Sequence, residues 1–301
     1  YGFDNIGRFS SSSSSVQSAS SVVNYSYLAD SDLITAWSNS TAGLAVARSY
    51  EANRSLLTRV KNMAGTNLVS QFDYSNDAVG RRTRRIDTTA SVITNDFGYN
   101  PRSELTNALM GANSFSWELD NIGNRVNDVA NTVTSSITNT YTANALNQYS
   151  QITNGGLRVL SYDLDGNMTN DSVLAYYWDG ENRLIGVASN GAAIAGYKYD
   201  YISRRCEKEA FGATNTFLYD GWNLVREISS SGVTNEYVWG LDLSGSLQGA
   251  GGIGGLLCVI RNGTPYYPCF DGNGNIGEYV DASGTVVAHR EYDAYGNTVV
   301  A

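Results

Sequence analysis

Four groups of residues in this sequence have types and spacings that could do chemistry. Gly249-Ala-Gly251-Gly-Ile-Gly254 matches the G-x-G-x-x-G spacing whose backbone amides cradle a dinucleotide phosphate. Such a site must follow a strand, open a helix and have an acid about twenty residues on. Here Leu256-Leu-Cys-Val-Ile260 follows, a strand-like run, so a crossing loop is the better reading. Asp271-Gly-Asn273-Gly-Asn275-Ile276 begins like a calcium loop. Its sixth position is Ile rather than Gly, no glutamate stands at the twelfth, and Glu278 comes too early. That segment, like Asp163-Leu-Asp165-Gly-Asn167, reads as a turn. His289 is the single imidazole, and triad or metal chemistry needs partners placed beside it. Cys258 or Cys206 as nucleophile would have to share it. No cofactor, no metal and no enzymatic activity are expected.

The elements that would position these residues are β-strands. Glycine (31) and tyrosine (21) are abundant and proline (3) is scarce, which suits short strands joined by tight turns. The odd cysteine count and wide spacing give neither a disulfide framework nor a zinc pattern. Asn262-Gly263 predicts a two-residue hairpin with Cys258 opposite Tyr267. Cys269 is then diagonal to Cys258, too far for a bridge without a bulge. The net charge of −9 argues against a nucleic-acid partner, which needs a basic face, and against an anionic membrane surface. Only Lys61, Lys198 and Lys208 among the twenty basic residues are lysine, so arginine in fixed, planar hydrogen bonds dominates. No apolar run is long enough to span a membrane. No signal peptide is visible, and the chain opens at Tyr1 inside a repeat, so a piece of a longer protein is expected.

The repeat decides the reading. An Asp or Asn recurs with Gly, Asn or Ser three positions on: Asp4/Gly7, Asp77/Gly80, Asn100/Ser103, Asp120/Gly123, Asn144/Asn147, Asp163/Gly166, Asp179/Asn182, Asp200/Ser203, Asp220/Asn223, Asp242/Gly245, Asp271/Gly274 and Asp293/Gly296. From Asp77 to Asp293 the period stays near roughly twenty, stretching between Asp242 and Asp271. Weaker units sit around Tyr25-Ser-Tyr27 and Tyr50-Glu51. An aromatic residue precedes most anchors: Phe3, Tyr99, Tyr162, Trp178, Tyr199, Tyr219, Phe270 and Tyr292. A second often lies two before it, as Phe97, Tyr197 and Phe217 do, so both rings share one strand face. The Asp side chain can bond amides two residues on and start a turn. Seven of the twelve positions at anchor plus three are Gly and three are Asn, residues that tolerate positive φ. Each unit reads as strand, tight turn, strand. Two exceptions are expected: Ser10–Ser15 and Ser18–Ser21 as a mobile low-complexity loop, and helix-like spacing over Ser55–Met63.

Tyr-Asp-x-x-Gly-Asn/Arg units of this period resemble the RHS/YD repeats of bacterial polymorphic toxins, insecticidal toxin-complex shell proteins and teneurins. The C-terminal part resembles the RHS core-associated region, through Tyr237-Val-Trp239-Gly-Leu-Asp242-Leu-Ser-Gly245, Gly251-Gly-Ile-Gly-Gly255-Leu-Leu, Asp271-Gly-Asn-Gly-Asn275 and Glu291-Tyr-Asp293-Ala-Tyr-Gly296-Asn297. The resemblance covers nearly the whole chain and is weakest over residues 9–70. It implies an all-β fold: consecutive hairpins in a long, coiled antiparallel sheet that forms a shell or tube wall. In toxin members the shell encloses a C-terminal effector, which an RHS-core protease region using Asp residues cuts free. The positions matching that region are absent, so no catalytic residue carries over.

The expected organisation is a repeat array over 1–240, degenerate over 9–70, continuous with core-associated repeats over 241–301. Twelve two-stranded units at about 4.8 Å per strand make a strip on the order of 115 Å, which must coil and leaves open edges. The expected partners are the remainder of the array or copies of the chain, with an enclosed effector or surface glycans beyond those. Exposed aromatic rows could stack on sugars, but packing of ring on ring within the sheet is the better reading. The function expected is enclosure by a non-enzymatic shell, secreted or at the surface of a bacterium. The alternative is an extracellular adhesion or self-assembling filament protein.

Overall fold

The computed structural model describes residues 1–16 and 19–300. Among the described residues there are thirty strands and no helix. Hydrogen-bonded neighbours in the large antiparallel sheets are sequence neighbours throughout, so the fold is a succession of hairpins. Turns alternate between the two ends of these hairpins. At one end lie the Asp-anchored corners; at the other lie mostly short turns such as Gly65, Gly111 and Phe211-Gly212. Two strands and two turns make one sequence period, which is why the anchors recur as they do.

Two sequence expectations are corrected. The serine-rich stretch is not a loop: Phe9–Val16 and Ala19–Tyr27 are strands paired antiparallel, with Ser11 opposite Asn24. Ser18 lies outside the described residues. Strand pairing satisfies backbone amides and carbonyls whatever side chains they carry. The segment with helix-like spacing is the strand Leu57–Ala64, in which Val60, Asn62 and Ala64 are buried in alternation. Pairing with strands on both sides, Lys61 to Ala47 and to Gln71, overrides a weak local preference.

The chain divides into two compact units. The first comprises Tyr1–Asp96, Tyr219–Glu227 and Val233–Ala301. Here two layers of hairpins pack face to face. Val23, Trp37, Leu44, Val46, Val60 and Phe72 from the N-terminal strands share one core with Val238, Leu257, Ile260, Tyr267 and Val280. Burying each such side chain contributes about 1.5–3 kcal/mol before entropy is counted. Buried polar contacts also cross this core. The Leu241 amide donates to the Tyr25 hydroxyl at 3.2 Å, the Gly272 amide to the Tyr74 hydroxyl at 2.6 Å, and the Asn62 side-chain amide to the Phe270 carbonyl at 3.1 Å. Gly240 is required by this close approach, because a Cβ there would sit 2.1 Å from the Tyr25 hydroxyl.

The second unit comprises Phe97–Leu218 and Ile228–Gly232. It buries fewer side chains: Ala108, Met110, Phe115, Trp117, Leu160, Val187, Ala188 and Phe217. Phe115 and Trp117, two apart on one strand, stack with ring centroids 6.2 Å apart.

Candidate functional site

The repeated site is the corner, and Asp163 shows its construction. Its Oδ1 accepts the Asp165 amide at 3.0 Å and the Asn167 amide at 2.8 Å. Its Oδ2 accepts the Asn167 side-chain amide at 3.0 Å. The Gly166 amide closes the turn on the Asp163 carbonyl at 3.2 Å, with Gly166 at φ +89°. The same amide bonds two and four positions on are made by Asp4, Asp77, Asp120, Asp179, Asp200, Asp271 and Asp293. Asn100 and Asn144 do so with an amide oxygen. Positive φ falls at Gly7, Gly80, Gly123, Gly274 and Gly296, and also at Ser103, Asn147, Asn182 and Ser203. Where the fourth position is arginine, its guanidinium closes onto the anchor, as Arg8, Arg81, Arg183 and Arg204 do at 2.7–2.8 Å.

Two corners depart from this. After Asp220 the turn is only Gly221-Trp222; Gly221 takes the positive φ and Asn223 lies buried in the next strand, so the expected offset of three is wrong there. Asp242 makes the turn with Gly245 but is itself enclosed. Its Oδ2 accepts the Ala250 amide at 2.6 Å and the Gly252 amide at 3.2 Å. One corner was missed: Asp281 accepts the Ser283 and Thr285 amides, with Gly284 at φ +82°, at the opposite hairpin end. Its spacing of ten from Asp271 falls off the main period, but Asp-x-x-Gly was present to be read.

The aromatic residue that ends the strand before a corner is a pin to the preceding hairpin. Tyr27 donates its hydroxyl to the Phe9 carbonyl, Tyr50 to Ile34, Tyr162 to Tyr149, Tyr199 to Leu184 and Tyr292 to Ile276, at 2.5–3.0 Å. Trp178 and Trp239 do the same through their indole N–H, to Met168 and Leu224. Most acceptors lie just after the previous corner, so a Tyr-Asp pair fixes its own turn and clasps the one before. Corners also join laterally. Arg54 donates to the carbonyls of Asp77 and Ala78, Arg102 to those of Asp120 and Asn121, and Asn167 to the Asn182 side chain.

The chemistry-bearing motifs fall into this framework. The G-x-G-x-x-G loop wraps the Asp242 carboxylate, so amides that would cradle a phosphate hold an internal anion. Asp271 turns its oxygens inward, one to amides and the other to Asn275. Asn262-Gly263 forms the two-residue hairpin, both at positive φ, and the three cysteines are unbridged. Burial pushes the Cys258 thiol up to about 12 and raises Cys269 further, so neither is a ready nucleophile.

One cleft in the first unit gathers ionisable groups that the sequence did not bring together. Its lining includes Arg85, Asp87, Asp271, Glu278, His289 and Glu291. Arg85 forks onto Asp87 at 2.7 and 2.8 Å and reaches Asp271 at 3.4 Å. His289 lies between two carboxylates: Nδ1 is 3.2 Å from Glu278 and Nε2 is 3.1 Å from Glu291. Burial raises the Glu278 carboxyl. Burial opposes the charged form of His289, but the Glu291 and Glu278 contacts outweigh it and its pKa is raised. Each ring nitrogen of His289 thus faces a carboxylate of the same cleft. Among the described residues no group of three or more His, Cys, Asp or Glu side chains could hold a metal ion.

The family model described as Teneurin YD-shell matches residues 50–301. The chain belongs to the teneurin YD-shell family. This YD-shell chain is 32% identical over 183 residues to a tRNA3(Ser)-specific nuclease WapA of Bacillus spizizenii, and 30% identical over 183 residues to the tRNA nuclease WapA of Bacillus subtilis. In both the match covers 59% of this YD-shell chain and 7% of the relative. Among solved structures, 99% of the chain superposes on 16% of a chain in the Photorhabdus luminescens Tc holotoxin pore with a substituted TccC3, at a TM-score of 0.68 and 15% identity. It superposes on 17% of a chain in the TcdB2-TccC3-TEV crystal structure at 0.65 and 14%. These likenesses show the same all-β YD-shell fold. No helix among the described residues is long and apolar enough to cross a membrane.

Proposed function

We propose that this chain is a wall segment of a YD shell that encloses a cargo and carries out no chemistry itself. One observation carries the reading: the repeat spends its polar side chains on joining hairpin to hairpin. Anchor carboxylates, tyrosine hydroxyls and corner arginines have their donors or acceptors inside the array. A nuclease is the class of cargo that the WapA names suggest, and the matched portion is 7% of those chains. A net charge of −9 suits a wall around such a cargo better than a surface that holds tRNA. The reading includes a repeat array over 1–240 and core-associated repeats over 241–301, and it places the protein outside a bacterial cell or at its surface.

The test has two arms. This chain incubated with tRNA is expected to leave it intact; cleavage lost on denaturing the chain overturns the non-enzymatic reading. In the full polypeptide, the cargo portion is expected to resist protease until the shell is unfolded; immediate digestion overturns enclosure.

A second reading, self-assembly, is favoured by one observation. In the second unit, apolar residues at several corner tips face solvent: Ile122 at 73%, Leu146 at 79% and Tyr201 at 92% exposed. Sedimentation over a concentration series separates the two, since a monomer at all concentrations rules out assembly through this chain.

A further inference from the structure

We propose that Glu278, His289 and Glu291 form a proton-operated clasp that holds the strands Val286–His289 and Glu291–Tyr292 in mild acid and loosens them as the pH rises. The inference does not rest on the enclosure reading.

The geometry sets the proton count. Both ring nitrogens of His289 are within hydrogen-bond distance of a carboxylate oxygen, and carboxylates only accept. Two such contacts need two protons, and a neutral imidazole carries one. The second proton sits either on the ring, making an imidazolium between two carboxylates, or on Glu278, which then donates to the ring. Both arrangements hold one proton more than the deprotonated cluster. When it leaves, one contact becomes two facing lone pairs beside a buried charge, and that contact breaks.

The surroundings keep the proton in place. Glu278 is 2% exposed, so its carboxylate lacks water to stabilise it. Asp87 and Asp271 also line the cleft and add negative charge; Arg85 is engaged by those two, and Arg290 and Tyr292 complete the charged and titratable lining. Excess negative charge around an imidazole favours its protonated form.

What the clasp secures is an edge of the first unit that is otherwise tied by its strand pairing, the Arg290 amide on the Gly277 carbonyl and the Tyr292 hydroxyl on the Ile276 carbonyl. Val286–His289 pairs on one side only, with Ile276–Val280, while Glu291–Tyr292 pairs with Thr298–Val300 in a separate two-stranded ribbon. Val286, Val287 and Ala288 are exposed, as are Thr298–Val300. Their exposed apolar side chains contribute little to holding these strands, so the loss of a polar tie is felt in their opening.

The sign follows from the group. A histidine whose folded pKa is raised contributes stability that is complete below its ordinary value of 6.5 and lost as pH rises through the folded value. The raised carboxyl of Glu278 acts in the same direction.

His289 is the only histidine, so its ring Cε1–H signal in the whole chain is a unique reporter. The expected NMR titration has a midpoint above 6.5, which H289 of the urea-unfolded chain does not share. Hydrogen exchange, corrected for intrinsic pH dependence, is expected to show protection of amides 286–292 falling at that same midpoint, while amides 57–76 stay unchanged. His289→Gln is expected to abolish the step. A midpoint at or below 6.5, or protection of 286–292 with no step, overturns the proposal. Should H289Q fail to fold, the two wild-type titrations decide it, because a step that departs from the imidazole midpoint also overturns it.

Discussion

The Tyr199 hydroxyl donates to the Leu184 carbonyl oxygen at 2.7 Å, across 15 positions of sequence. Tyr162 and Tyr292 make the same bond, which gives the tyrosine of these Tyr-Asp pairs a task that phenylalanine cannot perform. The ring is partly buried while the hydroxyl reaches a carbonyl at the start of the preceding strand, just after the previous corner. Tyr199→Phe keeps the ring and leaves that carbonyl without its donor. The expected cost is about 1 kcal/mol, read from the urea midpoint of the whole chain. Tyr177→Phe, on a ring that is 54% exposed, is expected to cost less than about 0.5 kcal/mol. Equal effects would mean that the hydroxyl pin contributes nothing.

The corner glycines test a different link, from backbone conformation to stability. Gly166 sits at φ +89°, and a Cβ there would meet only the Gln148 side chain at 3.4 Å, so space does not forbid alanine. The left-handed backbone does. Gly166→Ala is expected to destabilise by about 1–2 kcal/mol. Gly166→Asn is expected to cost less, because asparagine holds this conformation at Asn147 and Asn182. Equal losses for the two substitutions would place the cost in the cleft beside Gln148 rather than in φ.

These corners were legible because their chemistry is local: an acid, amides two and four positions on, and one residue able to take positive φ. Asp220 was misread for the same reason. A two-residue turn at Gly221-Trp222 satisfies the chain equally well, and no local signal prefers offset three. The cleft could not be read, since His289 meets Glu278 only through the register of two strands, and Asp87 joins the lining from a third. The Tyr25–Leu241 bond joins residues 216 apart, and nothing in either neighbourhood marks it. Ser10–Ser15 lacks the apolar alternation that signals a strand, yet neighbouring strands impose one on it.

Arg85 ties the N-terminal layer of the first unit to its C-terminal one. It forks onto Asp87 and reaches Asp271, with its side chain only 12% exposed. Removing it leaves two carboxylates short of their counter-charge in a place poor in water. Arg85→Ala is expected to cost about 3–5 kcal/mol, with Arg85→Lys intermediate because an ammonium cannot fork. Thermal or urea unfolding of the whole chain reads both. An alanine variant as stable as the parent would show that the cleft's carboxylates are held by water instead.

Acid should act on the corners in the opposite direction to the clasp. Asp120 and Asp163 are held below the ordinary 3.8, first by the Asn124 and Asn167 side-chain amides and then by the backbone donors; Asp4 is held down first by Arg8. A carboxylate with a lowered folded pKa contributes stability that is present above 3.8 and lost as pH falls through the folded value. His289 and Glu278 contribute stability that is lost as pH rises. The urea midpoint is therefore expected to peak in mild acid, falling below about pH 4 as corners protonate and more gently above neutrality. Asp163→Asn retains the acceptor for both amides, as Asn144 does, and is expected to keep most of the corner while flattening its share of the acid limb. An acid limb unchanged when several corner aspartates are replaced together would mean that other carboxylates carry it.

The thiols give the quickest check of the two-layer packing. Cys258 and Cys269 lie in the shared core of the first unit, buried and with raised pKa, whereas Cys206 is partly exposed. A thiol reacts as its thiolate, and only when a reagent can reach it. Ellman's reagent on the native chain near neutral pH is therefore expected to titrate one thiol, and three after denaturation. Cys206→Ser should remove the native reaction entirely. If Cys258 or Cys269 reacts as fast as Cys206, the two layers do not close over them, and the bonds from the Leu241 and Gly272 amides to the Tyr25 and Tyr74 hydroxyls cannot persist in solution.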